Sequence, residues 1–197
     1  MSSRHVWSAY GARAQEYTEV LGSMKATTQE DRELIVRWAR ECRGRIVDAG
    51  CGPGHWTAFL HDLGLDVEGV DPVDAFISIA RRHHPHVSYQ QGSFASLPAA
   101  HYGAALAWYS LIHTPPRDLP ETLASLKSSL TPRGNLLIGF FAGNRVEEFP
   151  HAVAPAYYWP PQTMASLLED TGFSILDIRH RKVPGARDHG SISCRAF

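Results

Sequence analysis

The chain has 197 residues, which at roughly 150 residues per domain predicts one domain over 1–197. A chain of this length buries roughly 70% of its unfolded surface, so it needs neither disulfide staples nor a structural metal to hold a core. Lys plus Arg is 19 against Asp plus Glu at 20, a net charge of -1. No basic run reaches five residues, so the electrostatic footprint of a phosphate-backbone binder is missing and no nucleic-acid partner is expected. With 44% hydrophobic and 20% charged residues the composition is that of a globular protein.

Cys42, Cys51 and Cys194 are odd in number and far apart, without Cys-x-x-Cys, which points to a reduced, cytoplasmic chain. The start, Met-Ser-Ser-Arg-His-Val-Trp, lacks an apolar core. No stretch approaches the ~18 apolar residues of a membrane span, so neither export nor a membrane partner is expected. The eleven histidines include no His-x-x-x-His, and no metal is expected. His83, His84 and His86 read as a solvated helix end.

In chain order, a helical stretch is expected from Val6 to Leu21. A second helix runs from Thr27 to Arg40, with Thr27 and Glu30 as capping box and an apolar stripe through Leu34, Ile35 and Trp38. After Gly44 strands alternate with helices, the pattern of a parallel sheet covered on both faces. Strand Arg45 to Asp48 leads through a glycine-rich turn, Gly50 to Gly54, into helix His55 to Leu63. Strand Asp66 to Val70, helix Val73 to His83, and strands Val87 to Gln91 and Ala104 to Tyr109 follow. Asp118 and Glu121 form a capping box for a helix bearing Leu119, Leu123, Leu126 and Leu130. Thr131 to Gly134 is a turn, Asn135 to Phe141 a fifth strand, and Pro160-Pro161 opens a helix that Gly172 ends. Phe173 to Arg181 and Ser191 to Phe197 have no helix-length segment between them, which predicts an antiparallel hairpin at one sheet edge and seven strands in all. Ala142 to Trp159, rich in Pro, Ala and aromatics, reads as an irregular lid.

The most specific feature is Ile46-Val47-Asp48-Ala49-Gly50-Cys51-Gly52-Pro53-Gly54. A strand, glycine turn and helix bring backbone N–H groups and a helix N-terminus up to a ligand. Dinucleotide sites use Gly-x-Gly-x-x-Gly. Here the spacing is Gly-x-Gly-x-Gly, with His55 where a third dinucleotide glycine would fall.

The acid Asp48 followed by Gly50, Gly52 and Gly54 resembles the class I methyltransferases that use S-adenosylmethionine. Their second element, an acid ending the second strand, is met by Val70-Asp71-Pro72, Asp71 lying 21 positions after Gly50. The resemblance assigns Asp71 the two ribose hydroxyls, a bidentate pairing. Gln91-Gly92-Ser93-Phe94 with Leu97-Pro98 looks like the family's adenine-contacting Gly-Asp-x-x-x-Leu-Pro, with Ser93 in place of the acid. Leu106 to Pro116 resembles the fourth-strand motif of small bacterial members, and the likeness covers nearly the whole chain, weakest over 142–159.

What the resemblance implies is an α/β, Rossmann-like fold with helices on both faces of a mixed, mostly parallel seven-stranded sheet. A helical cap over 1–45 would precede a binding core over 46–197. S-adenosylmethionine is expected to meet Tyr10, Tyr17, Asp48, Gly50, Cys51, Gly52, Gly54 and Trp56, then Asp71, Pro72, Gly92, Ser93, Phe94, Trp108, Tyr109 and Ser110. S-adenosylhomocysteine would be the product. A small-molecule acceptor, methylated on O or N, is expected at Tyr10, His113, His151, Tyr157 and Tyr158. Residue by residue the sequence leaves alternatives. Trp108 and Tyr109 suit a sulfonium cation or a strand core. Tyr10 and Tyr17, seven apart, face a ligand or simply pack. His113 is a general base, a turn cap or a substrate ligand. The lid aromatics line a pocket or anchor the loop, and Arg179 reads as a solvated edge residue. Two other functions stay open at this level: an NAD-dependent oxidoreductase and a non-catalytic cofactor-binding module.

Overall fold

The computed structural model describes residues 3–197. Helices α1 (Ser3–Ala12), α2 (Ala14–Leu21) and α3 (Gln29–Glu41) precede β1 (Ile46–Ala49), α4 (His55–Asp62), β2 (Val67–Asp71), α5 (Asp74–His83), β3 (Ser88–Gln91) and β4 (Tyr102–Trp108). There follow α6 (Leu119–Ser129), β5 (Leu130–Ala142), β6 (Glu147–Phe149), β7 (Ala156–Trp159), α7 (Pro161–Asp170), β8 (Phe173–Arg181) and β9 (His189–Ala196). Strands β3, β2, β1, β4 and β5 lie side by side and parallel. β9 runs antiparallel along β5 from Asn135 to Phe141, and β8 pairs β9, the expected hairpin. No helix among the described residues is long and apolar enough to cross a membrane.

The alternation of the strands sorts the core into two layers. Leu106, Ile46 and Leu137 face α3 and α4, packing with Ile35, Trp38, Trp56 and Leu60. Their neighbours Val47, Ala105, Ala107, Leu136 and Ile138 face α6 and α7, against Leu119, Leu123, Leu126, Met164 and Leu168. Because both faces are covered, these strands read as continuous apolar runs. Each fully buried leucine contributes roughly 1.5–3 kcal/mol relative to exposure.

Several expectations are corrected. Among the described residues the sheet has nine strands rather than seven, because the irregular segment contains the antiparallel pair β6 and β7. Phe141 pairs with both His189 of β9 and Tyr158 of β7, so β7 occupies the β4 side of β5, beyond the last β4 partner, Gly139. The hairpin therefore covers the carboxyl end of β4. The first helical stretch is two helices broken at Arg13, one residue beyond the end of α1 and two beyond Gly11, a poor helix former. The cap of α3 is Thr28, whose hydroxyl accepts from the Asp31 amide, one position later than the expected pair. Asp118 has αR backbone angles and makes no side-chain cap bond, so the second expected capping box is absent. The expected turn Thr131–Gly134 is instead a bulge within β5, and Leu130, expected on the preceding helix, is the first residue of that strand. The register jumps there from Tyr102↔Leu130 to Ala104↔Asn135, with Arg133 at φ 63.

Candidate active site

The floor of the site is the β1–α4 turn. Gly50 sits at φ 81, and a Cβ there would lie 2.3 Å from the Cβ of Ser110, so only glycine allows this turn against the end of β4. The amides of Gly50 and Cys51 donate to the Val70 carbonyl at 2.7 and 3.1 Å, binding the turn to β2. Asp71 completes the link: its Oδ2 accepts from the Gly52 amide at 2.9 Å and its Oδ1 from the Val73 amide at 2.8 Å. Burial raises this carboxyl to about 6 against the pull of those two bonds. Each oxygen retains a lone pair for a further donor. Asp48, also buried, accepts from Thr57 Oγ1 at 2.7 Å and is pushed up to about 7 by burial.

Two chambers open above this floor. The first, about 190 Å³, lies under α1 and α2 and is lined by Tyr10, Tyr17, Gly50, Gly52, Asp71, Pro72, Phe76, Phe94, Trp108, Tyr109, Ser110 and His113. Its adjoining recess is closed by Trp7, Gly92, Ser93, Phe94 and Leu97. The second, about 290 Å³, is lined by Tyr10, Tyr17, Asp48, Gly50, Cys51, Gly52, His55, Trp56, Trp108, Tyr109, Phe141, His151, Arg181 and His189, among others. Tyr10, Tyr17, Gly50, Gly52, Trp108 and Tyr109 belong to both linings, so the chambers meet there.

The end of β4 shapes that junction. Gly139, paired with Trp108, leaves space that the indole fills, since a Cβ there would come within 2.7 Å of the ring. Tyr109 then takes φ 57, a left-handed conformation costly for an aromatic residue. Its ring stands edge-on to Trp108 at 5.4 Å, near Phe141 at 5.2 Å, and its hydroxyl meets Nδ1 of His189. Burial raises the Tyr109 phenol, keeping it neutral. Ser110 lines the first chamber, and its hydroxyl is buried without a protein partner.

Tyr10 and His113 form a direct side-chain bond between the helical cap and the β4 end, Oη to Nε2 at 2.8 Å. His113 Nδ1 lies 2.8 Å from the Pro155 carbonyl, which can only accept, so Nδ1 carries the proton and Nε2 accepts from Tyr10. Burial lowers His113 and holds it as neutral imidazole. His151, its ring 5.1 Å away, falls to about 4 through burial and the neighbouring His113 and Arg187. Tyr17 lies edge-on to Tyr10 at 5.6 Å, and both pack on Phe76.

Most of the residues singled out in the sequence converge, but not all in one place. Asp48, Cys51 and Trp56 line the second chamber rather than the first. Gly54 lines neither; it is the left-handed N-cap of α4, and its carbonyl accepts from Tyr89. Tyr157 and Tyr158 are corrected: Tyr157 donates to Glu148 at 2.9 Å, and Tyr158 stacks on Phe149 at 4.0 Å, so both anchor the β6–β7 hairpin. Trp7, Phe76, His55, Phe141, His189 and Arg181 were not legible as site residues. Trp7 alone carried a usable signal, three positions before Tyr10 on one helical face. Arg179 pairs with Asp177 at the exposed edge, as read. One grouping of metal-ligand type occurs among the described residues, His61, Asp62 and His86, at the far end of α4 from the glycine turn and largely exposed.

A family model described as a methyltransferase domain matches residues 24–178. The malonyl-[acyl-carrier protein] O-methyltransferase of Erwinia billingiae is 25% identical over 156 residues, covering 79% of this chain and 61% of that protein. An uncharacterized methyltransferase of Staphylococcus carnosus is 28% identical over 107 residues, 54% of this chain and 51% of that one. The chain thus spans between half and two thirds of the length of these curated relatives. Among solved structures, the 1,6-didemethyltoxoflavin-N1-methyltransferase of Burkholderia thailandensis, with bound 1,6-didemethyltoxoflavin and S-adenosylhomocysteine, superposes with a TM-score of 0.82 at 21% identity, over 99% of this chain and 88% of that one. The magnesium protoporphyrin IX methyltransferase of Synechocystis with bound S-adenosylhomocysteine gives 0.79 at 18% identity, over 100% of both chains. The sheet order, the glycine turn and the matched family model together place the chain in the methyltransferase-domain family, with the Rossmann-like class I fold.

Proposed function

We propose that the protein transfers a methyl group from S-adenosylmethionine to an O or N atom of a small acceptor. The observation that carries this reading is the meeting of two chambers at Tyr10, Trp108 and Tyr109, directly over the carboxyl ends of β1 and β4. The first chamber, together with the part of the second that Asp48, Cys51 and Trp56 line, fits the cofactor. Asp71 has free lone pairs for two ribose hydroxyls, Ser110 lines the same space, and the recess of Trp7, Phe94 and Leu97 offers apolar faces for adenine beside the Ser93 backbone. The Gly50–Gly52 turn lets the backbone approach without a side chain intervening. When bound, S-adenosylmethionine supplies an electrophilic methyl on a positively charged sulfur, complementary to the aromatic faces of Trp108 and Tyr109.

The part of the second chamber lined by Phe141, His151 and His189 holds the acceptor against that junction, so the principal contribution of the chain is proximity and orientation. Tyr10 lines both chambers and is backed by His113, so an acceptor proton is passed to the Tyr10 oxygen while the Tyr10 proton moves to His113 Nε2. The resulting imidazolium is held by the Pro155 carbonyl on Nδ1. His113 is thus a base acting through Tyr10, and His151 borders the acceptor. The linings suit a small molecule, consistent with the near-zero net charge.

Calorimetry with S-adenosylhomocysteine tests the cofactor site: micromolar binding weakened at least tenfold by Asp71→Ala is expected, and no binding defeats the proposal. Incubation with methyl-labelled cofactor and a small-molecule extract then identifies the product; label transferred only in the presence of extract is expected.

A further inference from the structure

We infer that His61, Asp62 and His86 bind a divalent transition-metal ion of the zinc type, at a site apart from both chambers and independent of the cofactor reading. His61 and Asp62 end α4, and His86 lies in the short link between α5 and β3, 24 positions beyond Asp62. The two segments are fixed to one another by the core beneath them. Ala58, one turn before His61 and Asp62, packs with Ile77, Ala80 and Val87, and Val87 directly follows His86. Ligands drawn from two separate segments need no His-x-x-x-His spacing, so periodicity alone does not announce them.

One ligand atom from each of the three residues lies within 4.8 Å of the other two. A point between atoms so spaced is within roughly 2.8 Å of each, and side-chain shifts of under about 1 Å bring all three to zinc-bond distances of about 2.0–2.2 Å. Asp62 Oδ1 is the hub, 3.3 Å from His86 Nε2 and 3.8 Å from His61 Nδ1, and the two imidazoles stand edge-on at 5.2 Å. His61 Nδ1 is screened from water and has no hydrogen-bond partner, so its valence is unmet in the metal-free cluster. An ion enters from the side of Asp62 and His86, which are 65% and 54% exposed, and takes the place of their mutual hydrogen bond. The location favours a cation, because the carbonyls of the last turn of α4 are the negative end of its dipole. Two imidazoles with one carboxylate select zinc, nickel or copper over magnesium and calcium, which take oxygen ligands. Three protein ligands leave the remaining coordination to water. The ion fastens the end of α4 to the entry of β3, the strand whose Tyr89 hydroxyl donates to the Gly54 carbonyl at the start of the same helix.

The test is calorimetric titration of zinc chloride into the full chain, freed of metal and kept reduced with a phosphine that does not chelate zinc. One zinc per chain with micromolar affinity is expected, undiminished by millimolar magnesium. His86→Ala and Asp62→Asn should each weaken zinc at least tenfold. Both side chains are exposed, so the urea midpoints of the metal-free variants should match the native chain and show that they fold. Saturating zinc should raise the melting temperature of the native chain by about 5 °C, and that of His86→Ala by less than about 1 °C. Cobalt in place of zinc should give visible d–d bands without a thiolate-to-cobalt charge-transfer band, which separates this cluster from Cys42, Cys51 and Cys194. Zinc affinity weaker than about 100 μM overturns the inference. So does an affinity unchanged in both variants, or a thiolate band on the cobalt form.

Discussion

The Tyr10 hydroxyl donates to Nε2 of His113 at 2.8 Å, joining the first helix to the end of the fourth strand across 103 positions of sequence. The bond closes the helical cap over the junction of the two chambers and ties Tyr10 to an imidazole that burial keeps neutral. General-base assistance of this kind is worth roughly 10²–10⁴-fold. Tyr10→Phe and His113→Ala should therefore each slow single-turnover methylation by at least tenfold. In the unaltered protein the rate should be level above neutral pH. It should fall as acid protonates His113, with a midpoint below the ordinary imidazole value of 6.5 because burial disfavours the charged form. A pH profile of His113→Ala that keeps this limb removes the base role.

Asp71 makes cofactor affinity depend on pH. Its carboxyl is raised to about 6, and ribose hydroxyls donate best to the ionised form. The ionised fraction rises about tenfold between pH 5 and pH 7, so S-adenosylhomocysteine should bind about tenfold tighter at the upper value. Calorimetry across this range should show the slope in the native chain and its loss in Asp71→Asn.

Asp48 affects stability in the opposite direction. A carboxyl raised to about 7 from the ordinary aspartate value of 3.8 favours the folded state while protonated. That stabilisation is fully present below pH 3.8 and is lost as pH rises through about 7. Asp48→Asn retains an acceptor for Thr57 Oγ1 and should gain stability over the native chain as pH increases from 5 to 8. Urea midpoints at the two pH values measure the difference.

Gly139 is the position on which the Trp108 indole depends. Gly139→Val places methyl groups where the ring now lies, with the Cβ 2.7 Å from it, and should displace Trp108 from both chambers. At least a tenfold loss of S-adenosylhomocysteine affinity and a shift in tryptophan emission are expected. Overpacking of this kind costs about 1–3 kcal/mol of stability.

Burial and exposure predict contrasting costs for two leucines. Leu106 is fully buried between β1 and β5, and Leu106→Ala should lose about 2–5 kcal/mol in chemical denaturation. Leu176 is 53% exposed on β8, and Leu176→Ala should remain within about 0.5 kcal/mol.

The sequence by itself determined the features whose physics is local. Gly50, Gly52 and Gly54 mark a tight turn because all three alternate positions take positive φ, which glycine adopts without strain. Asp71 follows from the end of the next apolar run, and the leucines of α6 declare their face by spacing. The expectation of a mostly parallel sheet ending in the β8–β9 hairpin came from the alternation of strands and helices. Only the tertiary structure decided which distant groups meet. The Tyr10–His113 bond, the β6–β7 hairpin over β4, and the placement of Phe141, His189 and Arg181 around the second chamber span tens of residues and leave no spacing signature. It also reassigned Tyr157 and Tyr158, because a tyrosine in a loop-like segment reads alike whether its hydroxyl faces a ligand or Glu148. The capping boxes failed for a related reason: several hydroxyls and carboxylates near a helix start compete for the same amides, and the packed backbone selects among them.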